Sequence, residues 1–153
     1  MHKLEPELEL RLQQQIKRRL DPLVCQATRT TGLLNGSGME ESQLRNVLNV
    51  ASESHSLEVV ANFIRYQIAR NQRAWGISLD GFGHTVIKDL YGPVTKLAKQ
   101  AVEETVSSKK VTDDQQKLLH EKALIELMQL YLGYLNRAFY FAKKTGDYAV
   151  LSE

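Results

Sequence analysis

Apolar residues recur at helical spacing along most of the chain. Leucine or isoleucine returns every fourth residue from Leu4 to Leu20, and Leu23 and Val24 continue the series. Residues four apart share one face of an α-helix, so this pattern predicts a first helix that ends at the turn-rich segment 30–38.

Capping residues indicate where the next two helices begin. Ser37 followed by Glu40 has the spacing of a capping box, in which the two side chains satisfy reciprocal backbone N–H groups. A short second helix is therefore expected after them. The segment 52–56, SESHS, supplies a turn and a cap, so a third helix is expected from about Leu57.

The fourth predicted helix starts near His84 and ends at about Val106. Gly92 and Pro93 interrupt its pattern, because proline removes a backbone donor and clashes with the preceding turn. A kink or two shorter helices are expected there. No alternating apolar and polar run of useful length predicts a strand.

The final predicted helix is the longest one. Thr112 with Gln115 repeats the capping-box spacing at its start, and Gly146 is a natural terminator. Gly133 within it indicates the close approach of another helix, since glycine otherwise weakens a helix by ~1 kcal/mol. The chain is therefore predicted to be all-α, with residues 1–153 forming one domain, a bundle of about five helices.

Charge and composition narrow the function classes. The 153 residues carry 20 Lys+Arg against 18 Asp+Glu, a net charge of +2, so a nucleic-acid surface requires local segregation of charge. No segment resembles a membrane span, and the acidic N-terminus is unlike a signal peptide. The single Cys25 cannot form an internal disulfide and is expected to be a buried thiol. A cytoplasmic protein without membrane contact is expected.

Segment 62–73, NFIRYQIARNQR, is helix-patterned and holds three arginines, a tyrosine and no acid. On a helix its polar residues share one face, while Phe63, Ile64 and Ile68 lie off that face and can point into a core. The residues of the polar face, called the arginine stripe from here on, are Asn62, Arg65, Tyr66, Ala69, Arg70 and Arg73.

Two interpretations of the arginine stripe remain open. The first is a solvated face, or one whose arginines pair with acids of a neighbouring helix. The second is a nucleic-acid contact, in which Tyr66 offers a stacking plane and Arg70, four residues later, offers a phosphate fork.

Three further groups of residues are candidate contacts for nucleic acid. One group is a basic cluster, one is a single arginine, and one repeats the basic and aromatic pattern at spacings of three and four. They are Lys17, Arg18 and Arg19 of the first helix, Arg45 of the second, and Arg137, Tyr140 and Lys144 of the last.

No residue set points to catalysis or to a cofactor. The four histidines are dispersed and lack partners at metal-ligand spacing, so no metal site is expected. The glycine loop at 80–83 lacks the preceding strand that a phosphate-binding loop follows. No pair of carboxylates stands out from the solvated helix charges, and we expect the protein not to be an enzyme.

Segment 41–71, ESQLRNVLNVASESHSLEVVANFIRYQIARN, resembles the helical small subunit of type III (Csm-type) CRISPR–Cas effector complexes. In that family a T/S-x-Q-[IL]-R helix start precedes a helix that ends in a Tyr-x-x-x-Arg pair. The matching residues are 42–45, SQLR, and Tyr66 with Arg70. The family's last helix is apolar and aromatic and closes on a basic residue and glycine, as segment 130–147 does.

The resemblance implies a non-enzymatic subunit that stacks in several copies inside an effector complex. Such subunits hold guide RNA and target RNA through backbone contacts, and other effector subunits supply the nuclease and cyclase chemistry. The expected RNA contacts are Arg65, Tyr66, Arg70, Arg73, Lys17, Arg18 and Arg19, followed by Arg45, Arg137 and Lys144.

The alternative function is that of a helical protein–protein adaptor. Tyrosine, tryptophan and arginine are common interface anchors, so an apolar and aromatic face with the arginines at its rim would serve that role. Trp75, beside the glycine loop, would be the natural anchor of such an interface.

Overall fold

The computed structural model describes residues 3–152. Within that range the chain forms seven α-helices of eight or more residues, a single-turn helix and no strand. The helices are α1 (Pro6–Lys17), α2 (Leu20–Thr31), α3 (Glu41–Ser54), α4 (Leu57–Arg70), the single turn α5 (Gln72–Trp75), α6 (Phe82–Asp89), α7 (Thr95–Val106) and α8 (Asp113–Thr145). The all-α prediction is confirmed, but the helix count of about five was too low.

The predicted first helix is two helices with a turn at Arg18 and Arg19. Its apolar seam is real, since Leu12 and Leu23 are both buried on the core side. Pro22 explains the break, because in a continuous helix its ring would clash with the carbonyl of Arg18 four residues earlier. The seam therefore continues across a corner in the backbone.

The predicted interruption at Gly92 and Pro93 is confirmed. Residues Leu90–Val94 form a π-helical turn between α6 and α7. A π turn widens the hydrogen-bonded ring by one residue, which accommodates a proline that lacks a donor. The Thr95 hydroxyl also donates to the Leu90 carbonyl at 2.7 Å.

Most of the predicted caps form. The Ser56 hydroxyl accepts from the Val59 N–H at the start of α4, and the Thr112 hydroxyl accepts from the Gln115 N–H at the start of α8. Gly146 ends α8 with a φ of 74°. The capping box before α3 was misplaced. It joins Glu40 and Gln43, so the helix begins three residues later than a box at Ser37 would give.

The 33 residues of α8 form the axis of the bundle, about 50 Å long at ~1.5 Å per residue. Helices α1, α2, α3 and α7 pack along it, and α4 packs on α3 and α6. Helix α3 therefore lies between α4 and α8. Gly133 of α8 does not mark a close helix contact, because a Cβ added there would meet nothing within 4 Å.

The close contact lies at another glycine. Gly83, near the start of α6, sits under α4, and a Cβ there would come within 2.5 Å of the Ile68 side chain and 3.3 Å of the Trp75 carbonyl. Only a glycine lets the two helices approach this closely. The inner face of α4 is thus fixed against α6, with its opposite face turned to solvent.

A buried carboxylate joins three helices in the core. Asp89 of α6 is only 4% exposed and accepts hydrogen bonds from Gln26 at 2.8 Å, Thr30 at 2.5 Å and the Tyr131 hydroxyl. Burial, reinforced by the nearby Asp89 carboxylate, raises the pKa of Tyr131 well above its usual value. Its hydroxyl therefore remains a donor, and the network links α2, α6 and α8.

Candidate nucleic-acid interface

The arginine stripe forms one exposed face. All six of its residues are exposed, while Ile64 and Ile68 are buried and Phe63 is half-buried, as the pattern predicted. Helix α4 ends at Arg70, so Arg73 belongs to the single turn α5 that follows. The stripe therefore spans two helices joined at Asn71, whose side chain caps α5.

Tyr66 and Arg70 form a cation–π pair at the centre of the stripe. The guanidinium carbon lies 5.5 Å from the ring centroid, and Tyr66 is 57% exposed. This contact places the guanidinium of Arg70 over the Tyr66 ring. An aromatic ring and a fork of N–H donors are consequently presented together on the exposed surface.

The stripe arginines are not neutralised by acids of the described chain. The ion pairs found within residues 3–152 lie elsewhere, for example Lys109 with Glu7 and Lys122 with Glu9. The nearest acid on α4 is Glu58, which accepts a hydrogen bond from the Tyr91 hydroxyl at 2.7 Å. Pairing with acids of a neighbouring helix is therefore wrong for these residues, whereas a solvated face and a nucleic-acid contact both remain open.

A second surface, called the α8 strip, consists of Arg137, Tyr140 and Lys144. All three are exposed, Tyr140 by 55%, and the Lys144 amine lies 5.5 Å from the Tyr140 ring centroid. Arg45 and Glu41 of α3 face this strip across an open groove of about 330 Å³. The structure thus unites Arg45 with the α8 strip, which their distance in sequence did not indicate.

Acids of α3 reduce the positive charge of the α8 strip. Lys144 lies 3.8 Å from a Glu41 carboxylate oxygen, and Lys143 lies 3.1 Å from Glu40. Lys143 also donates to the Met39 carbonyl at 2.7 Å, which fixes it against the start of α3. These lysines serve the packing of α3 on α8 as well as the surface.

The cluster Lys17, Arg18 and Arg19 lies apart from the arginine stripe. It forms the corner between α1 and α2, and Lys17 lines a groove against the middle of α8. Arg19 is half-buried and donates to both the backbone and side-chain oxygens of Gln15 at 2.9 Å. Arg19 is therefore a poor candidate for RNA contact, whereas Lys17 and Arg18 are exposed.

Sequence reasoning missed a polar cleft between α3 and α4. It has a volume of about 220 Å³, and four amide side chains and one arginine line it. They are Gln43, Asn46, Gln67, Arg70 and Asn71. The only signal in the sequence was indirect, since Gln43 and Arg70 belong to the two halves of the family pattern.

Two further expectations were wrong. Trp75 is fully buried and packs on Phe82 with ring centroids 5.6 Å apart, so it is a core residue rather than an interface anchor. Cys25 is exposed, because α2 turns that position outward, whereas a buried thiol was expected.

Within residues 3–152, no cluster of three or more histidine, cysteine or acidic residues could hold a metal ion. None of the helices in this part of the chain has the length and hydropathy needed to span a bilayer.

Comparison with protein-family models, curated proteins and solved structures gave no match to the chain.

Proposed function

We propose that this protein is a non-catalytic, RNA-backbone-binding small subunit of a type III CRISPR effector complex. The single observation that supports it best is the unneutralised arginine stripe on α4. Arginine binds phosphate in bidentate fashion, and the exposed Tyr66 adds a stacking plane of the kind used for single-stranded nucleic acid. Its partners are guide RNA, target RNA and the other effector subunits, several copies acting together.

The position of α3 supports an extended RNA path. The arginine stripe lies on one side of this helix and the α8 strip on the other. The outward face of α3 between them carries small polar side chains and Arg45, all exposed: Ser42, Arg45, Asn46 and Asn49. A strand crossing this surface would meet cations at both edges and few acids on the way.

The adaptor alternative has less support. Its proposed anchor, Trp75, lies in the core. Trp75 is the only tryptophan of the chain, so no other tryptophan can take that role. The exposed tyrosines Tyr66 and Tyr140 each pair with a cation, an arrangement that suits nucleic acid as well as protein.

The double substitution Arg65→Glu with Arg70→Glu tests the proposal in the full-length protein. Fluorescence anisotropy with a labelled single-stranded RNA should show binding by the unaltered protein and its loss in the variant. Helicity by circular dichroism should not change, because both side chains are exposed. The magnitude of the salt-dependence slope should fall by about 0.7 for each phosphate contact that a milder alanine substitution removes.

The matched control is Lys96→Glu with Lys99→Glu on α7. These lysines are exposed like the two arginines, lie on one helix three residues apart, and give the same change in net charge when both are replaced by glutamate. Retained binding in the control places the contact on the stripe. Equal loss in both variants, or normal binding by the stripe variant, would overturn the proposal.

A further inference from the structure

The cleft between α3 and α4 differs in chemistry from the rest of the candidate interface. All five of its lining residues are neutral amides or arginine, so it has hydrogen-bonding groups and positive charge without a carboxylate. Its volume of about 220 Å³ equals roughly seven water molecules at ~30 Å³ each. That is room for one nucleobase and is less than the ~300–1,000 Å³ of a site for a drug-sized ligand.

Two of the amides have their oxygen atoms already engaged. The Gln43 Oε1 accepts from the Glu40 backbone N–H at 2.9 Å, and the Asn71 Oδ1 accepts from the Ala74 N–H at 3.4 Å. Both contacts are helix caps, so they fix which end of each amide is left over. The NH₂ groups of Gln43 and Asn71 are therefore the ends available to a ligand.

The other two amides are unengaged in the described part of the chain. The side chains of Asn46 and Gln67 make no hydrogen bond there, and both line the same cleft from opposite helices. Together with Arg70 the cleft offers mostly donors, with Asn46 and Gln67 able to supply an acceptor. Amide side chains are the groups that proteins use to hydrogen-bond base edges.

The cleft and the arginine stripe share Arg70. Arg70 lines the cleft and also lies over the Tyr66 ring, so a base leaving a strand on the stripe would pass directly from Tyr66 to the amides. Single-stranded RNA is commonly recognised through unstacked bases held in this way.

We propose that this cleft binds one unstacked nucleobase of a single-stranded RNA and that it prefers a carbonyl-rich base, uracil or guanine, over adenine. The preference follows from the excess of donors, since Arg70 and the NH₂ groups of Gln43 and Asn71 match the carbonyl oxygens of uracil and guanine. An amide that pairs with adenine must also accept from its amino group, and only Asn46 and Gln67 have an oxygen free to do so. The proposal rests on the proposed function, because the arginine stripe must hold the adjacent backbone. It adds a base preference to contacts that would otherwise be indifferent to sequence.

The test compares the affinities of the full-length protein for ten-nucleotide oligouridine and oligoadenosine RNAs. The unaltered protein should bind oligouridine more tightly. The double variant Asn46→Ala with Gln67→Ala removes the two side-chain oxygens that can accept from the amino group of adenine and keeps the donors of Gln43, Arg70 and Asn71. It should therefore raise the ratio of oligouridine affinity to oligoadenosine affinity by at least about fivefold, the low end of the discrimination given by a good amide–base pair. The salt-dependence slope should stay unchanged, since neither side chain carries charge.

The control variant is Gln14→Ala with Gln116→Ala. These exposed amides lie on α1 and α8, outside the cleft and outside the candidate interface, and the affinity ratio should stay as in the unaltered protein. Gln67→Met, which keeps the side-chain length and removes the amide group, should also raise the ratio, so a packing defect cannot account for the change.

The outcomes separate the two proposals. If the protein binds neither RNA, the proposed function fails. If it binds both and the cleft variant leaves their ratio unchanged, only the base site fails. A cleft variant that weakens both RNAs equally would mean that the amides contact the backbone, which also overturns the base site.

Discussion

Two pairs of side chains in this protein are nearly identical in local geometry and differ in their surroundings. Tyr66 with Arg70 on α4 and Tyr140 with Lys144 on α8 are both four residues apart, and in both the cation lies 5.5 Å from the ring centroid. Arg70 faces a cleft without acids, whereas Lys144 faces Glu41. Helix spacing sets the geometry of such a pair, but the neighbouring helix decides how much of its charge is available to a ligand.

The largest expected effect comes from removing the cation of each pair in turn. Arg70→Ala should weaken RNA binding about tenfold or more, because a charge-assisted hydrogen bond contributes ~1.5–3 kcal/mol. Lys144→Ala should have a smaller effect, since Glu41 already offsets its charge. Anisotropy titrations of both variants at one salt concentration give the comparison. An equal loss in the two variants would contradict the difference in available charge between Arg70 and Lys144.

A second contrast concerns the glycines of the same two regions. Gly83→Ala should lower the free energy of unfolding by about 1–3 kcal/mol, because the added Cβ would be forced against the Ile68 side chain of α4. Gly133→Ala on α8 should raise it by about 0.5–1 kcal/mol, because alanine favours the helix and the added Cβ meets open space. Urea denaturation measures both. A Gly83→Ala variant that is as stable as the unaltered protein would show that the packing between α4 and α6 is looser than the 2.5 Å approach to Ile68 implies.

The smallest expected effect comes from removing an acid. Glu41→Gln should increase RNA affinity by about twofold to fivefold, because an exposed ion pair is worth ~0.2–1 kcal/mol and its loss frees Lys144. Glu103→Gln on α7 makes the same charge change at an exposed position away from the strip. If Glu103→Gln raises affinity as much, the gain reflects net charge, and the α8 strip is not restrained by Glu41.

Local signals made much of the fold predictable from sequence. Ser56, Thr112 and Gly146 act on backbone groups within a few residues of themselves, and each forms the helix cap or helix end that was predicted. Pro22 carried equally local information about the break between α1 and α2, but the apolar seam that continues across it suggested one helix. The box at Ser37 did not form because the Ser37 hydroxyl accepts from the Met39 N–H in a turn, and Glu40 takes the N-cap position with Gln43 accepting from its N–H.

The parts that were not predictable depend on which helices meet. Trp75 was expected at an exposed interface and is buried, and Cys25 was expected to be buried and is exposed. Both predictions failed because burial is decided by a partner element distant in sequence. The exposed face of α4 followed from its own periodicity. The cleft did not, since it needs Gln43 and Gln67 from two helices, and neutral amides give no periodic signal.

The buried Asp89 network limits how far this protein can be reduced to a smaller one. The candidate interface uses α3, α4 and part of α8, and α4 packs on α6, which suggests a miniature of these four helices alone. Removing α2 would take Gln26 and Thr30 away from Asp89, and an acid left in the core with one donor would have to be replaced as well. A minimal RNA binder derived from this chain would therefore need a redesigned interior before any surface residue is altered.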